Sequence, residues 1–123
     1  MPQNKNKAAD DVCEVWAPDD EKIEFFAGNI PELGDLAELF NILGEETRAK
    51  IIFLLSRQEL CVCDIAALLQ SSVSNISHHL RVLRSARLVK YRRDGRKSIY
   101  SLEDQHVLQL FSAGLEHVQH LDE

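Results

Sequence analysis

Cysteine is scarce in this sequence and odd in number: three in 123 residues. Three cysteines cannot close a disulfide framework, so reduced thiols are expected, and reduced thiols can bind metal. No apolar run approaches the ~18 residues a membrane helix needs. The opening stretch MPQNKNKAADD also lacks the apolar core of a secretory signal. A cytoplasmic chain with no membrane partner is the expectation. Glycine (5) and proline (3) are few, which suits a compact, mostly helical chain. A glycine-rich phosphate loop, a nucleophile elbow and a Cys–His–carboxylate constellation are missing too, so an enzyme is not expected.

What is present is unevenly placed. The net charge of −6 argues at first against nucleic acid. Yet residues 81–97 carry eight basic side chains and one acidic one, while residues 98–123 hold no Lys or Arg. A confined basic block on an acidic chain is the footprint of a local phosphate contact.

Periodicity divides the chain further. Residues 1–18 read as a mobile arm carrying Cys13, and residues 19–123 as a single domain. A short amphipathic helix is expected over Asp19–Phe26. Leu33, Leu36, Ala37, Phe40 and Leu43 recur at helical spacing, and Gly44 ends that pattern. Glu45 and Glu46 open a second helix with a core face of Ala49, Ile52, Phe53 and Leu55. A short helix over Val62–Leu69, with Ile65, Leu68 and Leu69 inward, is joined by Gln70-Ser71-Ser72 to another over Val73–Ala86. That pair reads as a helix-turn-helix. The period then switches to two, and Asp94-Gly95-Arg96 lies between two alternating runs, a hairpin signal. A last helix is expected over Asp104–Leu121. The fold class is therefore mainly α with a small β-hairpin: a winged helix-turn-helix, paired as a homodimer through its N- and C-terminal helices.

If Ile76, Leu80 and Leu83 face the core, the opposite side of that helix presents Val73, Ser74, Asn75, Ser77, His78 and Arg81. Short hydrogen-bonding groups followed by a cation suit a helix reading the major groove of double-stranded operator DNA. Val73 can touch a thymine methyl. Arg92, Arg93, Arg96 and Lys97 surround the hairpin tip and can reach the backbone. His79 is expected to be a structural, hydrogen-bonded histidine.

Asp104, His106, His117 and His120 share the last helix. His106 and His117 are eleven residues apart, about 16 Å along an α-helix. Ligands of one zinc ion lie only ~3–4 Å apart. One chain cannot close such a site, but two antiparallel copies can, giving three nitrogens and one oxygen that suit Zn2+ or cobalt. The packing face of this helix is expected to be Leu108, Phe111, Leu115 and Val118. Cys61 and Cys63 open the Val62–Leu69 helix. They converge only if Cys61 sits at the cap, and Cys13 is the one other thiol that could join them. An all-sulfur set of this kind prefers soft ions such as Cd2+ or Pb2+. A solvated polar face, for the histidines, and a partly buried apolar pair, for the thiols, are the alternatives.

The segments ELCVCDIA, SNISHHLRVL, RLVKYRRDGRKSIYSL and DQHVLQLFSAGLEHVQH resemble the ArsR/SmtB family of metalloregulatory repressors. The likeness covers about residues 33–121. It implies a winged-helix homodimer that holds operator DNA when metal-free and releases it on binding metal, controlling efflux or resistance genes. Asp104-x-His106 and His117-x-x-His120 match the family's zinc-type site. ELCVCD is similar to the cadmium- and lead-sensing CadC branch, with Cys61 and Cys63 in ligand positions. That branch carries a second arm cysteine where this chain has Ala17, so three thiolates is the most it supplies. Arsenite sensors have a third cysteine where Ala66 stands, and the family's turn usually has glycine where Gln70-Ser71-Ser72 runs. A redox-responsive or constitutive DNA-binding regulator, with the cysteines as thiol switch, is the alternative reading.

Overall fold

A computed structural model describes residues 10–120. Residues 1–9 of the expected arm, and the end of the last helix at Leu121, lie outside the described residues. The chain forms two compact units, one through Glu32 and one from Leu33 onward.

In the first unit, α1 spans Asp20–Phe26. The Asp19 carboxylate accepts hydrogen bonds from the Glu21 and Lys22 amides at 3.0 and 3.2 Å, and Asp20 and Glu21 add negative charge at the positive end of the helix dipole. Cys13 and Trp16 precede it and are exposed.

The second unit holds α2 (Gly34–Leu43), α3 (Glu46–Arg57), β1 (Leu60–Cys61), α4 (Val62–Leu69), α5 (Val73–Ser85), β2 (Val89–Asp94), β3 (Lys97–Leu102) and α6 (Gln105–His120). Its core is built by Ile51, Ile52, Ile65, Ile76, Leu80, Leu83 and Val89, all almost fully buried. Each such aliphatic side chain stabilises the fold by roughly 1.5–3 kcal/mol through burial. Ile76, Leu80 and Leu83 take the inward positions that their spacing predicts.

Local chemistry sets the element ends. The Glu45 carboxylate accepts from the Arg48 amide at 2.9 Å, and Ser72 Oγ accepts from the Asn75 amide at 3.0 Å. Gln70 ends α4 in the left-handed region (φ 53°), where glycine would sit at less cost. Gly95 turns the hairpin at φ 64°, with Asp94 opposite Lys97. This hairpin beside the α4–α5 pair makes the unit a winged helix-turn-helix.

Several expectations need correction. The sheet has three strands in the order β1-β3-β2, because Leu60 and Cys61 pair antiparallel with Tyr100 and Ile99. The helix expected from the spacing of Leu36, Phe40 and Leu43 is α2, where Leu39, Ile42 and Leu43 pack on the core while Leu36, Phe40 and the capping Leu33 stand about half exposed. That helix is apolar on more than one side, and a single chain covers one side. On α3, Ile51 replaces Phe53 in the core. On α4, Ala66 is buried and Leu68 exposed. At about 100° per residue, Ile65, Leu69 and Ala66 share an arc that leaves Leu68 outside. On α6, Val107 is the buried residue and Val118 is exposed.

Candidate functional site

α5 presents Val73, Ser74, Asn75, His78 and Arg81 on its exposed side, with Ser77 half-buried. Asn75 is held in place, since its side-chain amide donates to Ser71 Oγ at 2.9 Å. On the wing, Arg92 pairs with Glu59 at 3.0 Å, which pins the middle of β2 to the residue just before β1. Arg93 donates to Ser98 Oγ and to the Gly95 carbonyl. Arg96 and Lys97 stand exposed at the tip. The four wing cations therefore divide: two brace the hairpin, and two project from it.

Sequence reasoning passed over one feature of this region, and in a second it expected a structural His79 without its partners. Arg84 lies over the Tyr91 ring at 5.0 Å, and Tyr91 meets Tyr100 with ring centroids 5.4 Å apart, joining the end of α5 to the wing. A cation over an aromatic face is attractive by about 0.5–1 kcal/mol when exposed. The second is a cluster around His79, whose side chain is only 13% exposed. Arg48 Nη1 lies 3.3 Å from His79 Nδ1, and Arg48 Nε donates to the Ile42 carbonyl at 2.8 Å. Glu45 Oε1 lies 3.9 Å from the same ring nitrogen. One guanidinium thus ties the last turn of α2 and the first turn of α3 to the middle of α5. The Arg48 amide bond holds the Glu45 carboxyl below its ordinary value, with smaller help from the Thr47 amide and the charges of His79 and Arg48. The Glu45–Arg48 spacing is a legible cap, but a partner 31 residues away has no local signature.

Cys61 is the N-cap of α4, where convergence with Cys63 requires it. It is only 3% exposed, and Cys63 is exposed. The Cys61 amide donates to Asp64 Oδ2 at 3.2 Å. Hydrogen bonds from the Cys61 side chain, and then from its backbone, hold the Asp64 carboxyl below its usual range. Both cysteines border a hollow of about 180 Å³ that also touches α5 and the wing. Cys13 lies in the first unit.

On α6, Asp104 Oδ1 accepts from the His106 and Val107 amides at 3.0 and 3.3 Å, so this residue caps the helix. Its carboxylate lies 3.6 Å from His106 Nδ1, and the His106 ring is 91% exposed. At the other end, His120 Nε2 is 4.0 Å from Glu116. His117 borders an apolar hollow of about 630 Å³ whose walls include Phe40, Leu110, Phe111, Gly114 and Val118. Among the described residues of one chain, no three metal-ligating side chains come together. The donor types still fit a divalent ion: three exposed imidazoles, and a carboxylate with a second oxygen beyond its cap bond.

Comparison with known proteins agrees with this fold. Residues 45–91 match the family model described as "Bacterial regulatory protein, arsR family". The chain is 47% identical over 94 residues to a transcriptional repressor SmtB homolog of Synechocystis, covering 76% of this chain and 71% of that one. It is 39% identical over 110 residues to a cadmium resistance regulatory protein CadC homolog of Staphylococcus aureus, covering 87% and 91%. Among solved structures it resembles a homodimeric winged helix-turn-helix DNA-binding domain of Mycobacterium bovis, with a TM-score of 0.68 at 26% identity over 88% of this chain and 94% of that one. No described helix is long and apolar enough to cross a membrane.

Proposed function

The chain belongs to the arsR family of bacterial regulatory proteins, and from that premise we propose that it is a homodimeric repressor that holds operator DNA when metal-free and lets go when a soft or borderline divalent ion binds. A DNA-binding transcriptional regulator, and not an enzyme, is what the family provides. The SmtB and CadC names of its relatives support metal as the signal.

One observation carries the reading: Asp104, His106, His117 and His120 are all exposed, and His117 borders an apolar hollow on α6 that a single chain leaves open. A second α6, running antiparallel, would cover apolar surface and bring Asp104 and His106 of one copy to His117 and His120 of the other. Those four residues would hold zinc, and the ion would supply a fixed link between the two helices. Cys61 and Cys63 are the donors for a softer ion such as cadmium or lead, with Cys13 as third thiolate on sequence grounds. The protein's own residues then do two jobs. Val73, Ser74, Asn75, Ser77, His78 and Arg81 meet base edges and phosphates, while Arg92, Arg93, Arg96 and Lys97 form the wing contact.

Linkage fixes the sign of the effect. An ion that binds the free dimer more tightly than the DNA-bound dimer must weaken DNA binding by the same factor. A coupling of about 1–3 kcal/mol gives roughly 5–150-fold. The test is fluorescence anisotropy with a duplex enriched from a random-sequence pool, titrated with and without zinc or cadmium. A fall in DNA affinity within that range is expected. A shift below about twofold with both metals, well under that coupling, would reject the reading.

A further inference from the structure

The hollow at the head of α4 brings together groups that the metal reading alone does not use. Cys61 and Cys63 line one side, Ser77 of α5 another, and Arg93, Arg96 and Lys97 of the wing a third. Its volume of about 180 Å³ is room for about six waters at their share of liquid volume. Arg93 is braced there by Ser98 and the Gly95 carbonyl, so one guanidinium is fixed at the rim before any ligand arrives. Asp64 accepts from the Cys61 amide and side chain and does not line the space, although its charge acts on Lys97. The lining thus carries three cations, hydroxyls and thiols, and no carboxylate.

We propose that this hollow is a seat for a phosphate-class oxyanion, filled by a backbone phosphate when the protein lies on DNA, and that phosphate and thiol-bound metal exclude one another there. Two guanidinia and an ammonium with hydroxyl donors are the chemistry that binds a phosphate group. The position fits the source, because the hollow lies between the two elements that meet the duplex, α5 and the wing. The Cys61 thiol is buried and borders the same space. An ion on the two sulfurs would take up part of the space that a phosphate needs, because both cysteines border it. Metal at the thiols would thus release DNA by local competition at the head of α4. This mechanism rests on the reading that the cysteines hold the inducing metal; the phosphate seat itself does not.

Two measurements on the full chain separate these claims. The first is metal-free alkylation of Cys63 by iodoacetamide, followed by mass spectrometry of its peptide. Saturating random-sequence duplex should slow the reaction about 10-fold or more, within the usual range of site coupling. Inorganic phosphate, compared with chloride at equal ionic strength, should slow it in part, and the Arg96→Gln/Lys97→Gln double variant should lose that protection. Protection by duplex but not by free phosphate assigns the seat to backbone phosphate alone. An unchanged rate under saturating duplex overturns the seat. The second is cadmium titration read by thiolate charge-transfer absorption. Saturating duplex should weaken cadmium binding about 10-fold, and equally so in His117→Ala. Equal cadmium affinity with and without duplex, or a shift that vanishes in His117→Ala, overturns the competition. Failure of cadmium to bind the thiols rejects the metal reading, and the alkylation result still judges the seat.

Discussion

The thiol pair and the histidine helix are two donor sets built on opposite plans. Cys61 is almost buried at a helix cap, and Cys63 lies beside it against the wing and α5. Within one chain these two thiols already border the elements proposed to face DNA. The residues proposed to ligate from α6 are exposed and spread along about 16 Å of helix, and His117 among them borders apolar surface that one chain does not cover. The difference teaches where each site's energy must come from. On the proposed reading, the first draws on a thiol already buried at a helix cap, and the second on the encounter of two copies. A thiol site of this kind should respond in proportion to its own occupancy, whereas a two-copy site should also respond to protein concentration.

The sharpest way to break this contrast is His117→Ala. If the α6 set needs four donors from two chains, losing one imidazole should cut zinc affinity roughly 100-fold or more, since even supporting groups around a metal are worth about 10–100-fold. Isothermal titration with zinc measures it. Cadmium absorption at the thiols should stay unmoved in the same variant. Equal loss at both sites would mean that they are one system.

Gly114→Leu comes next in size. Nothing lies within 4 Å of a Cβ built at Gly114, so the single chain has open space there. A leucine should even favour the helix, because glycine in a helix interior costs about 0.5–1 kcal/mol relative to alanine. Against a second α6 the same side chain overpacks, at about 1–3 kcal/mol, or roughly 5–150-fold in dimer dissociation. Sedimentation should show weaker dimers, with thermal stability of the folded chain kept. An unchanged dimer would place the two-copy contact elsewhere.

How much of this was legible in the sequence follows from the range of each interaction. The α4 and α5 boundaries, the hairpin and the cap role of Cys61 are local matters of period, turn and cap chemistry, and they read directly. The third strand escaped notice because Leu60-Cys61 is too short to show alternation and exists only through its pairing with Tyr100 and Ile99. The inward faces of α3 and α4 were misjudged at Phe53 and Leu68, since period alone cannot say which side a neighbour covers. The Arg48–His79 contact and the shared hollow of Cys61, Ser77 and Arg93 depend on residues brought together from distant segments, which no spacing rule encodes.

The smallest expected effect comes from a group outside both sites, and it sets the floor against which they are compared. Glu45 caps α3 through the Arg48 amide, and its carboxyl is held below its ordinary value of 4.5. A lowered carboxylate contributes stability that is present above the unfolded value and fades as pH falls through the folded one. The residue is partly exposed, so solvent screens the effect. A charge at the start of a helix is worth about 0.3–1 kcal/mol at low salt. Glu45→Gln keeps an acceptor and removes the charge. At pH 7 it should lower the melting temperature slightly, and the gap to the parent chain should close as the pH falls below 4.5. A gap that stays constant through that window would show that the amide acceptor, and not the charge, holds the end of α3. Cadmium binding at the thiols and zinc binding at α6 should both be unchanged in this variant, because Glu45 lines neither hollow.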